Sequence, residues 1–428
     1  MKRHSFQHKR WVVGITLPFC LSAAAETNPI YATLKQDILI NADYWTQKPQ
    51  IIGAGLGFTQ ILGVPGAATT PEGQQAVIDA GGAWEILSTS NPAPPLRAYT
   101  SATSPQGMAM GYGKPIVGGG GFPVEFSWPV LPSTVDGSDF EVTLNTGKKV
   151  IAQAASINPN LEYNERSTVV ITSDAFGNRT APGTPGAIYP VKLRIVRDAT
   201  PLTLAGPRGR MKSAVGMTYG NGKNPMTGYH AGPKLCAAKL SRLSTAGEAG
   251  PAVFTAGYLP NDGAALYGSG AQYRLRVLTT GGFSPDGVRS LYPTEFSGFF
   301  KIQLNDRGGK TVYLTETNKT YSLKAGSITV LGLADLATAE DSYDDGYVED
   351  HDNQIDIILQ GDEAVMRRIT NVLVPSTTPP YQPFYNPGGP GNNPTPGVTY
   401  TKPTSSIKQP VTIAIDDPMT VTYGALPQ

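Results

Sequence analysis

Seven acidic side chains surround one histidine near the C-terminal end of the sequence. They are Asp341, Asp344, Asp345, Glu349, Asp350, Asp352 and Asp356, grouped about His351. Like charges at this density repel unless water or a cation lies among them. Three readings follow: a hydrated loop, a cation site, or an acid–base centre. An EF-hand loop takes oxygen ligands at positions 1, 3, 5, 7, 9 and 12, with Gly at 6. Counting from Asp341 places Asp345 at 5, Gly346 at 6, Tyr347 at 7, Val348 at 8, Glu349 at 9 and Asp352 at 12. Tyr343 stands where an acid is wanted, Asp352 is shorter than the usual Glu, and the flank NQIDIIL reads as a strand. The spacing therefore points away from an EF-hand and toward an irregular calcium loop between β elements, with Asp341, Asp345, Glu349 and Asp352 as its ligands. Carboxylates with one His and no nearby Cys suit a hard cation such as calcium. The acid–base alternative is a hydrolase that uses His351 and the carboxylates of 341–356, since a His flanked by carboxylates can hold and release a proton near neutral pH.

Other chemistries find less support. The histidines outside the N-terminal segment are His230 and His351, too few for a three-His or HExxH zinc site. Neither accompanies a G-x-S-x-G nucleophile elbow. Cys236 lies in GPKLCAAKL with no motif about it and reads as a small buried hydrophobe. The glycine-rich stretches at 117–123 and 220–228 lack the frame of a phosphate-binding loop.

The N-terminus has the form of a secretory leader. Lys2, Arg3, Lys9 and Arg10 precede the apolar run WVVGITLPFCLSAAA, and Ala23-x-Ala25 suits cleavage before Glu26. Its loss leaves 30 basic against 33 acidic side chains. Such a balance gives no electrostatic pull toward nucleic acid or an anionic membrane, and no later apolar run is long enough to span a bilayer. The expected setting is secreted or periplasmic, with a glycan or protein surface as the partner.

These residues must be held by strands. The chain carries 49 Gly and 37 Pro with 16% charged residues, a mixture that favours strands and turns over long helices. Residues 26–121 read as an irregular region with short helices. One is expected in NPIYATLKQDIL, with Ile30, Leu34, Ile38 and Leu39 on one side. Another begins at TPEGQQ, where Thr70 caps and Pro71 opens the first turn. From 122 to 200, short alternating runs separated by turns predict a β-sandwich. Val191, Leu193 and Ile195 face inward there, and Lys192, Arg194 and Arg197 outward. Residues 201–374 predict a second β-rich domain, in which Tyr273, Leu275 and Val277 point in and Arg274 and Arg276 point out. DEAVMRRI, 362–369, is its best helical stretch. An extended Pro- and aromatic-rich segment, 375–410, and a C-terminal hairpin, 411–428, follow.

The phrase VEFSWPVLPSTVDGSDFEVTLNTGKKV resembles the opening half of bacterial immunoglobulin-like domains of the S-layer and adhesin type. Phe126, Ser127, Pro129, Val130, Ser133, Thr134, Val135, Phe140 and Val142 carry the match. The resemblance implies an Ig-like fold over 122–200 and an extracytoplasmic setting, and it brings no catalytic residue. The fold class expected is thus mainly β: an Ig-like β-sandwich followed by a second β-rich domain, with few short helices.

Overall fold

The computed structural model describes residues 28–336, 353–374 and 407–424, apart from 56, 83–84, 88–96, 100–101, 181, 227–234, 252–260 and 281–290. The leader, His230, the run 341–352 and most of the Pro-rich segment lie outside these residues. The protein is mainly β, with several sheets and few short helices.

Two of the helices start as their sequences require. Asn28 accepts a hydrogen bond from the Ile30 amide at the head of α1, Pro29–Leu34. Thr70 accepts one from the Gly73 amide at the head of α2, Pro71–Asp79. Each places proline in its first turn, where a missing N–H costs nothing. Ile38 and Leu39 leave α1 behind; Leu39 opens strand β1, Leu39–Asp43.

The first core is enclosed by two antiparallel sheets. One contains β2, Ile51–Ala54, β3, Gly119–Phe126, and β5, Thr168–Ser173, side by side. The other contains β4, Phe140–Leu144, beside β6, Pro190–Ile195. Phe122, Val124, Phe126, Trp128, Phe140, Val142, Val169, Ile171, Leu193 and Ile195 are buried between them. On β6 the expected alternation holds: Val191, Leu193 and Ile195 are buried and Arg194 is exposed. Strands β3 and β5 are instead buried along their whole length. A strand reads this way when both faces are covered; Glu125 and Thr168 are paired on the face turned away from the first core.

Trp128 lies wholly inside and donates its indole N–H to the Thr46 carbonyl at 2.8 Å. A Cβ on Gly206 would stand 2.2 Å from that ring. Its backbone is ordinary extended chain, φ −121°, so the glycine is there for space. Gly206→Ala is expected to lower stability by about 1–3 kcal/mol through overpacking, as read by urea denaturation.

The second core has the same plan. A six-stranded sheet runs from an edge strand, Thr320–Leu323, through β10–β11–β8–β7–β14, where β7 is Leu235–Arg242, β8 Tyr273–Thr279, β10 Gly326–Ala334, β11 Gln354–Gly361 and β14 Thr412–Ile413. A four-stranded sheet holds β9, Lys301–Asn305, beside β12, Ile369–Val374, and β13, Ile407–Pro410. Leu240, Leu275, Val277, Ile302, Ile357, Leu359 and Val372 pack between them with Phe296, Phe299 and Phe300. The helix expected at 362–369 is a single turn, Glu363–Met366, before β12 begins at Ile369.

The C-terminal chain stitches the two cores together. The runs expected to pair as a closing hairpin pair elsewhere. Strand β14 joins β7 in parallel, and β15, Thr420–Tyr423, joins β1 antiparallel. Ile415 packs in the second core, while Ala414, Met419 and Val421 pack in the first. Apolar side chains in each run find separate cores, and that burial outweighs the local turn at Asp416-Asp417-Pro418.

Candidate functional site: a buried ionic cluster

Strand pairing sets charges in a row across the second sheet. Lys239 on β7 faces Arg276 on β8, and Arg276 faces Asp356 on β11. Leu240, Leu275, Val277 and Ile357, one residue along each strand, point the other way into the second core. The charged row therefore occupies the sheet's outer face, and that face is covered by the first core. Lys239, Arg274, Arg276 and Asp356 are each no more than 3% exposed. The expectation that Arg274 and Arg276 point into water is overturned here. The alternation was right, but the outward face of one core is the inward face of the junction.

Acids from both cores meet these cations. Arg276 is 2.8 Å from Asp356, 2.5 Å from Asp335 and 2.7 Å from Glu165. It also approaches Asp43 at 3.4 Å. Arg274 is 2.5 Å from Glu248 and 3.2 Å from Asp356. Lys239 binds the Asp43 carboxylate and donates to the carbonyls of Pro418 at 3.0 Å and Met419 at 3.1 Å. Asp43 ends β1 and Glu165 precedes β5, so both come from the first core's side. The pairs thus cross from one core to the other.

Burial alone would neutralise such groups. It acts against the charge of Asp43, but Lys239, Arg276 and Arg274 outweigh it and hold that carboxyl below its usual range. Burial likewise opposes the Arg276 cation, yet Asp356, Asp335 and Glu165 keep it well above the usual arginine value. Asp335 goes the other way. Its desolvation, with Glu165, Asp356 and Glu248 adding repulsion, lifts it far above the carboxylate range despite Arg276. A proton on Asp335 relieves part of the excess of acids over cations.

Glu162, Glu248 and Asp335 each offer a carboxylate oxygen, all within 4.8 Å of one another. Carboxylate oxygens are the donor type of a hard divalent cation, but three are at most half of the six to eight that calcium takes. Two of the three already lie against guanidinium groups, Glu248 on Arg274 and Asp335 on Arg276. A metal would have to share those oxygens, so the arrangement is first an ion-pair lock.

Of the acidic run met in the sequence, the structure describes Asp356, which lies inside this cluster and wholly buried. The calcium ligands expected at Asp341, Asp345, Glu349 and Asp352, together with His351, lie outside the described residues. Their stems do not. Ala334 pairs with Asp356, with Asp335 next to it, and Asn353 leads into β11. The described acids on either side of 341–352, Asp335 and Asp356, therefore both belong to the cluster. Sequence reasoning passed over Asp43, Glu165, Lys239 and Glu248. Charges set within three apolar strands, Lys239 on β7, Arg274 and Arg276 on β8 and the opposite charge of Asp356 on β11, were the signal available. Comparison of the chain with family models, curated proteins and solved structures finds no match.

Proposed function

We propose that this is a secreted or periplasmic β-protein that acts by binding or as a structural component, built around an Ig-like module over 122–200. Its partner is a glycan or protein surface outside the cytoplasm. The observation that supports this reading is the use of the charged groups. Lys239, Arg274, Arg276 and Asp356 are spent inside the molecule on joining two β-cores, beyond the reach of a substrate. No helix among the described residues is long and apolar enough to cross a membrane.

Calcium held by Asp341, Asp345, Glu349 and Asp352 completes the proposal, because clustered carboxylates with no nearby Cys suit a hard cation. With a Kd of about 10⁻⁴–10⁻³ M, 10 mM calcium is expected to add about 1–3 kcal/mol of stability. Thermal melts with calcium and with a chelator read this. Asp345→Ala should abolish the shift. An unchanged melt in calcium removes the calcium site. Loss of turnover on a glycan or ester panel in a folded His351→Ala variant would replace the binding role by hydrolysis.

A further inference from the structure

Glu125 is a buried acid that the ionic cluster does not use. It sits on β3 opposite Thr168 of β5, on the face turned away from the first core. Phe122, Val124 and Phe126 take the core face. Glu125 is wholly buried. Its surroundings come from both halves of the molecule. A Cβ on Gly53 of β2 would lie 3.0 Å from Glu125 Cγ, 2.5 Å from Cys236 Sγ on β7 and 2.9 Å from Thr280 Cγ2 beyond β8. Gly53, Cys236 and Thr280 thus share a seam with the Glu125 stem, Thr168 and Asn353 lie at its carboxyl end, and the Cys236 thiol is the other titratable group in that set.

The hydrogen bonds here run in one direction only if Glu125 carries a proton. Thr168 Oγ1 lies 2.6 Å from Glu125 Oε2 and 3.4 Å from Asn353 Oδ1. A threonine hydroxyl has one proton to give. A carboxylic acid donates to Thr168, which then donates to Asn353. A carboxylate takes the threonine proton for itself, and Asn353 Oδ1 keeps only the bond from Asn160 Nδ2 at 3.0 Å. Asn353 is in turn clamped to the second core, donating to the Thr279 carbonyl at 2.6 Å. Glu125 Oε1 is buried with no hydrogen-bond partner, a position costly for a charged oxygen.

We propose that Glu125 is a proton-operated latch between the two β-cores: its protonated carboxyl completes a hydrogen-bonded chain through Thr168 to Asn353, and release of that proton favours separation of the two faces. Burial lifts the carboxyl to about 8, although hydrogen bonds given to the ionised form by Thr168 and Asn353 would draw it down. The closed form keeps its proton up to that pH. An opened form, with the carboxyl in water, gives it up above the ordinary value of 4.5. Opening thus releases one proton between about 4.5 and 8, and each pH unit in that window raises the open fraction about tenfold. Above it both forms are ionised and the effect levels off.

Cys236 reports the opening, since it lies half-buried in the same seam. The full chain carrying Cys20→Ser is labelled with a maleimide between pH 5.5 and 7.5, each rate divided by that of the urea-unfolded chain at the same pH. Dividing by the unfolded rate removes the thiol's own titration. The open fraction of the parent relative to Glu125→Gln is expected to rise about a hundredfold over those two units. The glutamine cannot ionise, and other groups that titrate on opening cancel in the ratio. Thr168→Val keeps the acid and breaks the chain, so its labelling is faster at every pH while its slope persists. A parent-to-Gln ratio that stays constant with pH overturns the latch. So does a Thr168→Val rate equal to the parent's.

Discussion

Arg276→Met is expected to cost about 3–5 kcal/mol, a large fraction of the stability of most domains. Methionine fills much of the same volume, so packing is nearly kept and the loss is electrostatic. Three carboxyl groups, on Asp356, Asp335 and Glu165, would lose a guanidinium within 2.8 Å. Arg274 still reaches Asp356, whereas Glu165 and Asp335 lose the Arg276 guanidinium at 2.7 and 2.5 Å. Urea denaturation at pH 7 measures the loss. Its sign with pH is fixed: orphaned buried carboxyls have raised values, so their penalty is absent at low pH and grows as pH rises. The gap between Arg276→Met and the parent should therefore narrow toward pH 5. Adding Asp356→Leu should restore part of the stability, because a matched apolar pair needs no desolvation of charge. A gap of under 1 kcal/mol for the single variant would show the cluster to be dispensable.

Ending the chain after Asp416 is the second large effect expected. The cut removes β15 and with it the burial of Met419, 5% exposed, and Val421, 4% exposed. Full burial of such side chains contributes about 1.5–3 kcal/mol each. It also removes the Pro418 and Met419 carbonyls that take two of the Lys239 protons. Unmade hydrogen bonds to a buried charge cost about 1–3 kcal/mol more. The sum, about 4–9 kcal/mol, approaches the whole stability of an ordinary domain. The truncated chain should be recovered largely unfolded, by circular dichroism and by protease sensitivity. Val421→Asp, which leaves the backbone ladder to β1 in place, should reproduce a third to a half of the loss. A truncated chain that melts like the parent would mean that β1 needs no partner.

The sequence displays local rules and conceals long-range ones. Thr70 and Pro71 mark the head of α2 because a cap acts within four residues. Val191, Leu193 and Ile195 mark a strand because its other face is wet. On β8 the same period of two is present, yet it does not tell which face meets solvent. That depends on the first core, whose contributions Asp43 and Glu165 lie 233 and 111 positions from Arg276 in the chain. Glu125 hides for a similar reason. In PVEFSW it reads as the solvent-facing member of an alternating strand, and only the second core laid over it makes it an interior acid. The C-terminal runs misled through proximity: two strand-like segments beside a turn suggest a hairpin, but separate cores reach each of them first.

Val374 and Ile407 are partners in the β12–β13 ladder. The 32 residues between them therefore begin and end at one point on one sheet. Closing a loop costs little more as it lengthens, about 0.6 kcal/mol per doubling, so insertions there are expected to leave the β12–β13 ladder in place. That makes the site a natural place for diversification, and for grafting a reporter or an epitope.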